Sequence, residues 1–381
     1  MWMPMSSVIG WDIGGAHLKA VLLDAKGNVL NCVQLAYPLW KGMQYLEREI
    51  LNALRALQIA PSRACHAITM TGEMVDLFES RHEGVCEIAK LTSKMLGENC
   101  YFYAADNDTD DSFVRAIDVP RFASVIASAN WHASATFIGQ HVPNALLIDI
   151  GSTTSDIIPI VNGNIALNGN SDVARLINDT LVYTGVVRTP IMALAQKLPF
   201  FDGDNALEIN VMAEHFATMA DVYRLTGELK NDDAETADGK GKTPIESARR
   251  LARMIGYDVY NNLDKWIELA FSCKALQMTQ LKTAVAQHLK PNMAIIGAGA
   301  GSFLAKQIAE DLNVNYMHAC EAMPQGTFSQ THSMSSIHHV SMRVTGQPKN
   351  DLVQGHANLT LMQEVEICFA AYAVAQLRVK S

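Results

Sequence analysis

Residues 8–30 read VIGWDIGGAHLKAVLLDAKGNVL, and residues 144–167 read NALLIDIGSTTSDIIPIVNGNIAL. Each stretch is an apolar strand that ends in Asp-x-Gly, a turn of small residues, a second strand, and a glycine turn before a third strand. When the stretches are aligned, Asp149 falls on Asp12 and Gly151 on Gly14. The chain therefore contains an internal duplication of one supersecondary unit, which governs the prediction of its fold.

The composition is that of a folded chain with an acidic surface. The 381 residues are 49% hydrophobic and 18% charged, and the formal net charge is -9. A chain of this length predicts two domains, and the acidic balance argues against nucleic-acid binding. Seven cysteines without a C-x-x-C pair indicate a reducing compartment, and no apolar run reaches the ~20 residues that a membrane span needs. With no signal-like N-terminus, the expected location is the cytoplasm.

The duplication and the polar stretches predict the domain boundaries. A first lobe is expected at residues 1–143, completed by a C-terminal helix at 361–381, and a second lobe at 144–322 with a helical insertion at 171–289. The segment 323–358 is polar and poorly periodic, and is predicted to be loop-like. Residues 121–142 have a helical composition throughout, and Thr243, Pro244 and Glu246 form the pattern of a capping box at a helix start.

The two Asp-x-Gly turns have the residue types that bind a phosphate group and its metal ion. Glycines free backbone N–H groups for phosphate oxygens, hydroxyls add donors, and paired carboxylates suit Mg²⁺ with its water shell. We expect the two hairpins to face each other around a polyphosphate; the alternative is that each is only a tight turn. The predicted phosphate-binding residues are Gly14, Gly15, His17, Lys19, Gly151, Ser152, Thr153 and Thr154, and the predicted metal-associated residues are Asp12, Asp149 and Asp156.

A third glycine turn lies in AIIGAGAGSF, residues 294–303. Gly297, Gly299 and Gly301 are predicted to add to the phosphate site. One alternative is a dinucleotide-binding fingerprint, although Ser302 stands where the third glycine belongs; Glu321 would then be the ribose-binding acid. The other alternative is close packing of a helix on a sheet.

Other acidic and metal-ligating residues give weaker signals. Glu73 and Asp76 follow a buried strand, where a general base is often placed, but they equally suit the N-terminus of a helix. DNDTDD, residues 106–111, resembles a calcium loop without its glycine and final glutamate, and is expected to be a solvated loop. The spacing of His318, Cys320, His332, His338 and His339 fits no known metal site.

The motifs WDIGGAHLKA, IDIGSTTSDIIPI and IIGAGAG together resemble the phosphate and adenosine motifs of the acetate/sugar kinase–Hsp70–actin superfamily. The stretches ITMTGEMVDLF, ASANWHASA, LVYTGVVRTP and FATMADVYRLTGEL narrow the resemblance to the hydantoinase/oxoprolinase-like branch linked to tetrahydromethanopterin-dependent C1 transfer. The resemblance implies a two-lobed α/β fold of the actin-like ATPase (ribonuclease H-like) type, with duplicated βββαβα-type domains and a cleft between them.

Within this branch, the resemblance to methanofuran-forming enzymes implies a transferase that condenses an aminomethyl-furanmethyl diphosphate with γ-glutamyl-tyramine and releases pyrophosphate. Mg²⁺ would be the cofactor, and the diphosphate and the phenolic amine would be the small-molecule substrates. The resemblance implies that Glu73 or Asp76 accepts the phenol proton, Arg188 clamps the diphosphate or a carboxylate, and Asn130 orients substrate. The alternatives are an ATP-dependent kinase or oxoprolinase-type amidohydrolase, and a non-catalytic nucleotide-binding regulator; a homo-oligomer is left open.

Overall fold

The computed structural model describes residues 7–105, 112–202, 205–229, 235–260, 262–324, 327 and 361–381. The chain divides into two compact units. The first comprises Met1–Pro143, Asn162–Ile165 and Ala319–Ser381, and the second comprises Asn144–Val161 and Ala166–His318. The segment 323–358 lies outside the described residues except for positions 323, 324 and 327, as do residues 106–111 and His332, His338 and His339.

The first unit contains a mixed β-sheet with helices packed against it. Its six strands are β1 (Ser7–Ile13), β2 (His17–Asp24), β3 (Val29–Ala36), β4 (Cys65–Met70), β5 (Cys100–Tyr103) and β6 (Phe113–Arg115). Its helices are α1 (Met43–Ala56), α2 (Arg81–Leu96), α3 (Val119–Ile126), α4 (Asn130–His141), and two C-terminal helices, α11 (Leu361–Ile367) and α12 (Phe369–Lys380). The strands lie in the order β3-β2-β1-β4-β5-β6, in which β1, β4 and β5 run parallel.

The C-terminal helix α12 is part of the core of the first unit. Gly10 in the middle of β1 has no side chain, and a Cβ atom there would collide with the Ala371 backbone and lie 2.8 Å from Cβ of Ala375. The absent side chain therefore lets α12 pack directly on the strand that ends in Asp12. Gln376 of the same helix donates a hydrogen bond of 2.6 Å to the carbonyl of Gly27, in the turn between β2 and β3.

The second unit repeats the central part of this sheet. Its strands are β7 (Ala145–Ile150), β8 (Ser155–Val161), β10 (Leu181–Val182), the hairpin β11 (Lys197–Asp202) and β12 (Asn205–Asn210), β13 (Ala294–Ala298) and β14 (Tyr316–His318); the two-residue strand β9 (Asn164–Ile165) falls in the first unit. Its helices are α5 (Asp172–Ile177), α6 (Ile191–Leu194), α7 (Met219–Thr226), α8 (Pro244–Arg253), α9 (Asp264–His288) and α10 (Ser302–Leu312).

The strand order confirms the predicted fold class. The main sheet of the second unit has the order β10-β8-β7-β13-β14, so the antiparallel hairpin β7–β8 is followed by parallel β13 and β14, as β1–β2 is followed by β4 and β5. This antiparallel hairpin beside parallel strands is the ribonuclease H-like arrangement implied by the resemblance. The glycine turns after β2 and β8 also correspond, since Gly27 and Gly163 both have left-handed φ angles of 84° and 81°.

One predicted helix is divided into two. Residues 121–142 have a helical composition, but α3 ends at Ile126 and α4 begins at Asn130. Ser128 between them has a φ angle of 52°, which no residue of a right-handed helix can have. The stretch is helical as predicted except at this break, which places the Ser128 hydroxyl next to Glu73.

The insertion at 171–289 is not wholly helical. The start of the insertion forms only the short helix α5 and then strand β10, and the hairpin β11–β12 was not predicted. The capping box is confirmed, since the Thr243 amide donates to Glu246 Oε2 over 3.0 Å. The helical region that follows it consists of two helices, α8 and α9. In the described part of the chain, no helix is long and apolar enough to cross a membrane.

Candidate functional site

The first loop, residues 14–16, connects β1 to β2, and the carbonyl groups of residues 13–16 hold it to neighbouring segments. Each of four successive carbonyl oxygens accepts a hydrogen bond from a neighbouring segment, which fixes the path of the turn. The bonds are Thr71 N to Ile13 O (3.0 Å), Tyr37 Oη to Gly14 O (2.7 Å), Leu39 N to Gly15 O (3.1 Å) and Tyr37 N to Ala16 O (2.9 Å).

The glycines of the first loop are required by close neighbours. A Cβ atom at Gly15 would lie 2.8 Å from Cγ1 of Val75, and one at Gly14 would lie 3.0 Å from the His17 carbonyl. Burial raises the pKa of the Tyr37 phenol, and the nearby carboxylates of Asp12 and Glu49 raise this pKa further. The phenol therefore stays protonated and donates to the loop.

Asp12 is buried at the end of β1, with 4% of its surface exposed. Burial raises the pKa of its carboxyl group above the ordinary value, and the ammonium group of Lys19, 3.5 Å from Oδ2, opposes this shift. Among the described residues, the other oxygen, Oδ1, has no hydrogen-bond partner. Thr69 lies directly beside Asp12 on the neighbouring strand β4. Its hydroxyl is also buried and has no hydrogen-bond partner among the described residues.

Glu73 lies just after β4 and is almost fully buried. Its Oε1 accepts a hydrogen bond of 2.8 Å from the Ser128 hydroxyl, which in turn accepts one of 2.9 Å from Nη2 of Arg81. The same Arg81 nitrogen is 4.0 Å from Glu73 Oε1. Burial beside a cation and a hydroxyl distinguishes Glu73 from Asp76, which is exposed. Neither Ser128 nor Arg81 was predicted as a member of this site.

Asn130 and His17 are both half-buried in the first unit. Asn130 begins α4, and its Oδ1 accepts a hydrogen bond of 2.8 Å from the Trp131 amide. His17 is the first residue of β2, and its carbonyl accepts a hydrogen bond from the Gly14 amide over 3.0 Å. Each residue therefore lies at the first position of its element, α4 or β2, and these elements border the buried polar groups of the first unit.

The second loop, residues 151–154, connects β7 to β8 in the second unit. The Gly151 amide donates to the Thr154 carbonyl over 2.8 Å, which closes the turn. The Ser152 carbonyl accepts two hydrogen bonds, from the Val187 amide (3.1 Å) and the Arg188 amide (2.8 Å). The hydroxyls of Ser152 and Thr153 are half-buried and lie 3.4 Å apart.

The segment 184–188 packs against this second loop, and we call it the bracing segment. At Gly185, a Cβ atom would lie 2.5 Å from the Thr153 amide nitrogen and 2.6 Å from the Gly151 carbonyl oxygen, so only glycine fits. The segment ends with Arg188, whose side chain is exposed. The stretch LVYTGVVRTP thus brings Arg188, predicted as a clamp, next to the predicted phosphate-binding turn.

The third glycine turn also lies against the second loop. Gly299 has a φ angle of 78°, and a Cβ atom there would collide with Oδ1 of Asp149. The Gly301 amide donates to the Ile150 carbonyl over 2.8 Å, and Gly297 lies beside the Tyr316 ring. The structure therefore brings this turn and the half-buried carboxylate of Asp149 together.

The dinucleotide-binding alternative for this turn does not match the observed topology. That fold has parallel strands around its glycine turn, whereas β13 belongs to a mixed sheet that contains the antiparallel hairpin β7–β8. Strand β14 ends at His318, and Glu321 lies in the 3₁₀ turn that follows, Ala319–Ala322, not at the end of the strand.

Asp156 lies directly across the hairpin from Asp149, at the position that Lys19 occupies relative to Asp12. It forms an ion pair with Arg175, whose side chain is 1% exposed and which also donates to the Thr180 carbonyl over 3.1 Å. Arg175 therefore balances the charge of Asp156, whose predicted contact with a metal stays a prediction.

The described residues contain no cluster of three or more His, Cys, Asp or Glu side chains arranged to hold a metal ion. His318 and Cys320 have other neighbours: His318 Nδ1 is 3.2 Å from the Tyr316 hydroxyl, and the Cys320 thiol lies 3.6 Å from the Met362 carbonyl. Burial raises the pKa of the Cys320 thiol, which therefore stays protonated.

Comparison with known proteins identifies relatives of this chain. The family model described as hydantoinase/oxoprolinase matches residues 65–329. A protein of Methanocaldococcus jannaschii named (4-{4-[2-(gamma-L-glutamylamino)ethyl]phenoxymethyl}furan-2-yl)methanamine synthase is 30% identical over 254 residues, which are 66% of this chain and 72% of that protein. A protein of the same name from Methanococcus vannielii is 37% identical over 128 residues, 33% of this chain and 55% of that protein.

Among solved structures, the activator of the 2-hydroxyisocaproyl-CoA dehydratase from Clostridium difficile is similar to this chain with a TM-score of 0.40 and 12% identity. The alignment covers 84% of this chain and 90% of that one.

Proposed function

The chain belongs to the hydantoinase/oxoprolinase family, and on that premise we propose that it is a transferase of methanofuran biosynthesis. The proposed reaction joins the phenol oxygen of γ-glutamyl-tyramine to the methylene carbon of an aminomethyl-furanmethyl diphosphate. The observation that carries the proposal is the likeness to the Methanocaldococcus relative, whose name describes a synthase of this aryl ether. A cytoplasmic location is proposed with it, in keeping with seven free cysteines, six of them buried.

The reaction breaks one carbon–oxygen bond and forms another. The bond between the furan methylene and the diphosphate breaks, and pyrophosphate leaves with the electron pair. The phenol oxygen forms the new ether bond and gives its proton to a base. Because a furanmethyl carbon tolerates positive charge, the site has to stabilise the leaving pyrophosphate and exclude water.

Both loops are assigned to phosphate oxygens of the leaving group. The carbonyl groups of the first loop, and those of Gly151 and Ser152 in the second, are already bonded to other segments, which leaves each turn fixed before substrate arrives. The Ser152 and Thr153 hydroxyls supply neutral donors and Lys19 supplies a positive charge. Preformed donors stabilise charge that develops in the transition state without a cost of reorganisation at that moment.

The residues fit the proposed magnesium cofactor at Asp12, whose buried Oδ1 has no hydrogen-bond partner among the described residues. A buried carboxylate oxygen of this kind suits a hard cation or a water in its shell. Asp12 and Asp149 would hold the ion. When bound, Mg²⁺ would supply positive charge against the negative charge of pyrophosphate.

Glu73 is the proposed acceptor of the phenol proton. The Ser128 hydroxyl donates to its Oε1 and Nη2 of Arg81 lies 4.0 Å from the same oxygen, so the carboxyl group is held in one position, as a base has to be. We assign the exposed Arg188, at the end of the bracing segment, to binding the diphosphate or the glutamate carboxylate of the acceptor. Asn130 is assigned to orienting the acceptor.

The test uses the purified full chain with Mg²⁺, aminomethyl-furanmethyl diphosphate and γ-glutamyl-tyramine. Stoichiometric pyrophosphate and an ether of the expected mass would support the proposal. A parallel reaction replaces the diphosphate by ATP: ADP formation would instead support a kinase or an ATP-driven amidohydrolase. Tight nucleotide binding with no product in either reaction would support a regulator and overturn the proposal.

A further inference from the structure

Gln277 is a fully buried polar residue in the middle of the long helix α9. Its side-chain amide is saturated with hydrogen bonds. Nε2 donates to the Thr184 hydroxyl over 2.8 Å and to the Gly185 carbonyl over 3.0 Å, and Oε1 accepts a hydrogen bond from the Tyr223 hydroxyl. The Gly185 carbonyl fixes the orientation of the amide, because it can only accept and must therefore face the NH₂ group, which leaves Oε1 to face the Tyr223 hydroxyl.

Both acceptors of Gln277 belong to the bracing segment, residues 184–188. The Thr184 carbonyl is held as well, by a hydrogen bond of 2.6 Å from the Ser155 hydroxyl at the start of β8. The Gly185 amide donates to Oγ1 of Thr189 over 2.8 Å. Gly185 is therefore fixed at its amide by Thr189, the residue that follows the bracing segment, and at its carbonyl by Gln277.

The position of Gly185 determines the position of the second loop. The second loop lies so close to Gly185 that a Cβ atom there would collide with the Gly151 carbonyl and the Thr153 amide, and the amides that follow Gly185 hold the Gly151 and Ser152 carbonyls. A displacement of the bracing segment would thus loosen three hydrogen bonds that shape the loop. They are Val186 N to Gly151 O (3.1 Å), Val187 N to Ser152 O (3.1 Å) and Arg188 N to Ser152 O (2.8 Å).

We propose that Gln277 is a positioning residue for diphosphate binding, acting through Thr184 and Gly185 on the second loop. The proposal rests on the proposed function for the identity of the ligand. Gln277 does not touch the substrate in this scheme; it holds the bracing segment so that the loop and Arg188 meet the diphosphate in one geometry. Loss of its two donors would weaken diphosphate binding more than binding of the phenolic acceptor, because only the second loop would lose its support.

The experiment compares Gln277→Met with two controls in the full chain. Gln277→Met keeps the length of the side chain and removes all three hydrogen bonds. Tyr223→Phe removes only the bond to Oε1 and leaves both donors to the bracing segment. Leu269→Ala removes a buried apolar side chain from the same helix and controls for loss of stability alone.

Two measurements are made on each variant. The first is amide hydrogen exchange of residues 186–188, which reports opening of the bracing segment directly. The second is the affinity for Mg²⁺–pyrophosphate by calorimetry, together with KM for each substrate. For Gln277→Met we expect roughly tenfold faster exchange and roughly tenfold weaker pyrophosphate binding, with KM for the phenolic acceptor unchanged. Both controls should match the wild type in exchange at 186–188.

Unchanged exchange in Gln277→Met, or equal acceleration in Leu269→Ala, would overturn the proposal. If Gln277→Met does not fold, Gln277→Glu takes its place, since it keeps the shape and the acceptor for Tyr223 but presents no NH₂ group. The exchange measurement needs no substrate. A protein that forms no ether therefore refutes the proposed function, while the exchange result still decides whether Gln277 positions the loop.

Discussion

Lys19 Nζ lies 3.5 Å from Oδ2 of Asp12, directly across the first hairpin. The second hairpin has no such pair at the corresponding place, because Asp149 faces another acid, Asp156. The cation there comes from Arg175, which pairs with Asp156. The duplicated turns therefore keep their backbone design but differ in charge, and Asp12 and Asp149 should respond differently to substitution.

Asp12→Asn is expected to abolish turnover and to stabilise the protein at pH 8. Burial raises the pKa of the Asp12 carboxyl in the folded state above its unfolded value, so its contribution to stability is largest below the unfolded pKa. That contribution to stability is lost as the pH rises through the folded pKa. Asparagine does not ionise, so the Asp12→Asn variant avoids this loss. Thermal unfolding at pH 8 should show a Tm higher by roughly 2–4 °C, as about 1 kcal/mol produces in units of this size.

Asp149→Asn is the matched control, because Asp149 is the equivalent residue but only half-buried. It should also abolish turnover, with Tm close to that of the wild type. Retained turnover in either variant would refute the metal assignment, and a lower Tm of Asp12→Asn at pH 8 would refute the destabilising role of its burial.

Gly151→Ala is expected to fold normally and to lose diphosphate binding. A Cβ atom there would lie 3.4 Å from the Thr154 carbonyl, an ordinary contact, so the protein itself leaves room for it. A phosphate close to the backbone would meet the added methyl group. We expect an unchanged Tm and an increase of roughly tenfold or more in the Kd of Mg²⁺–pyrophosphate, measured by calorimetry.

Gly185→Ala provides the comparison. Its added Cβ atom would collide with the backbone of the second loop at Gly151 and Thr153. It should lower Tm as well as weaken binding. If Gly151→Ala bound pyrophosphate as tightly as the wild type, the second loop would not be a phosphate site.

Glu73→Gln is expected to lower kcat by roughly 10²-fold or more, the contribution of a positioned general base. Asp76→Asn, at an exposed position, should stay within about twofold of the wild type. Ser128→Ala removes one hydrogen bond to Glu73 and should fall between them. Steady-state kinetics with both substrates gives the ranking, and a large loss in Asp76→Asn with little in Glu73→Gln would assign the base to Asp76.

The duplicated strands and turns were predictable because their signals are local. Short apolar runs, the Asp-x-Gly sequence and the glycine turns after β2 and β8 each lie within a few residues. The fold class could be predicted because this strand and turn pattern occurs twice in the sequence. The candidate phosphate loops were found for the same reason.

The hydrogen bonds that hold the candidate site in place were not predicted, because they join residues that are far apart in the sequence. Ser128 and Glu73 are 55 residues apart, and Gln277 and Thr184 are 93 apart. Nothing in the local sequence around Ser128 marks the left-handed residue that divides α3 from α4, since its neighbours favour a helix. Tertiary hydrogen bonds of this kind override local preference and leave no periodic signal.

His66 is expected to make the first unit sensitive to acid. Its Nδ1 accepts a hydrogen bond of 3.1 Å from Trp11 Nε1, and its Nε2 is 3.0 Å from the Pro61 carbonyl, so the neutral ring satisfies both partners. Burial lowers the pKa of His66 to about 4. Because this pKa is depressed in the folded state, the stability is fully present above the unfolded pKa of about 6.5 and is lost as the pH falls toward 4.

The expected loss between pH 7 and pH 4 is about 3 kcal/mol of unfolding free energy, measured by urea unfolding at a series of pH values. His66→Gln removes the titrating ring while keeping a donor and an acceptor, and serves as the reference. The wild type should be the more stable of the two at pH 7, and the difference should shrink steadily as the pH falls. A difference that stayed constant over this range would show that protonation of His66 is not coupled to unfolding, and that the buried bond from Trp11 tolerates a charged ring.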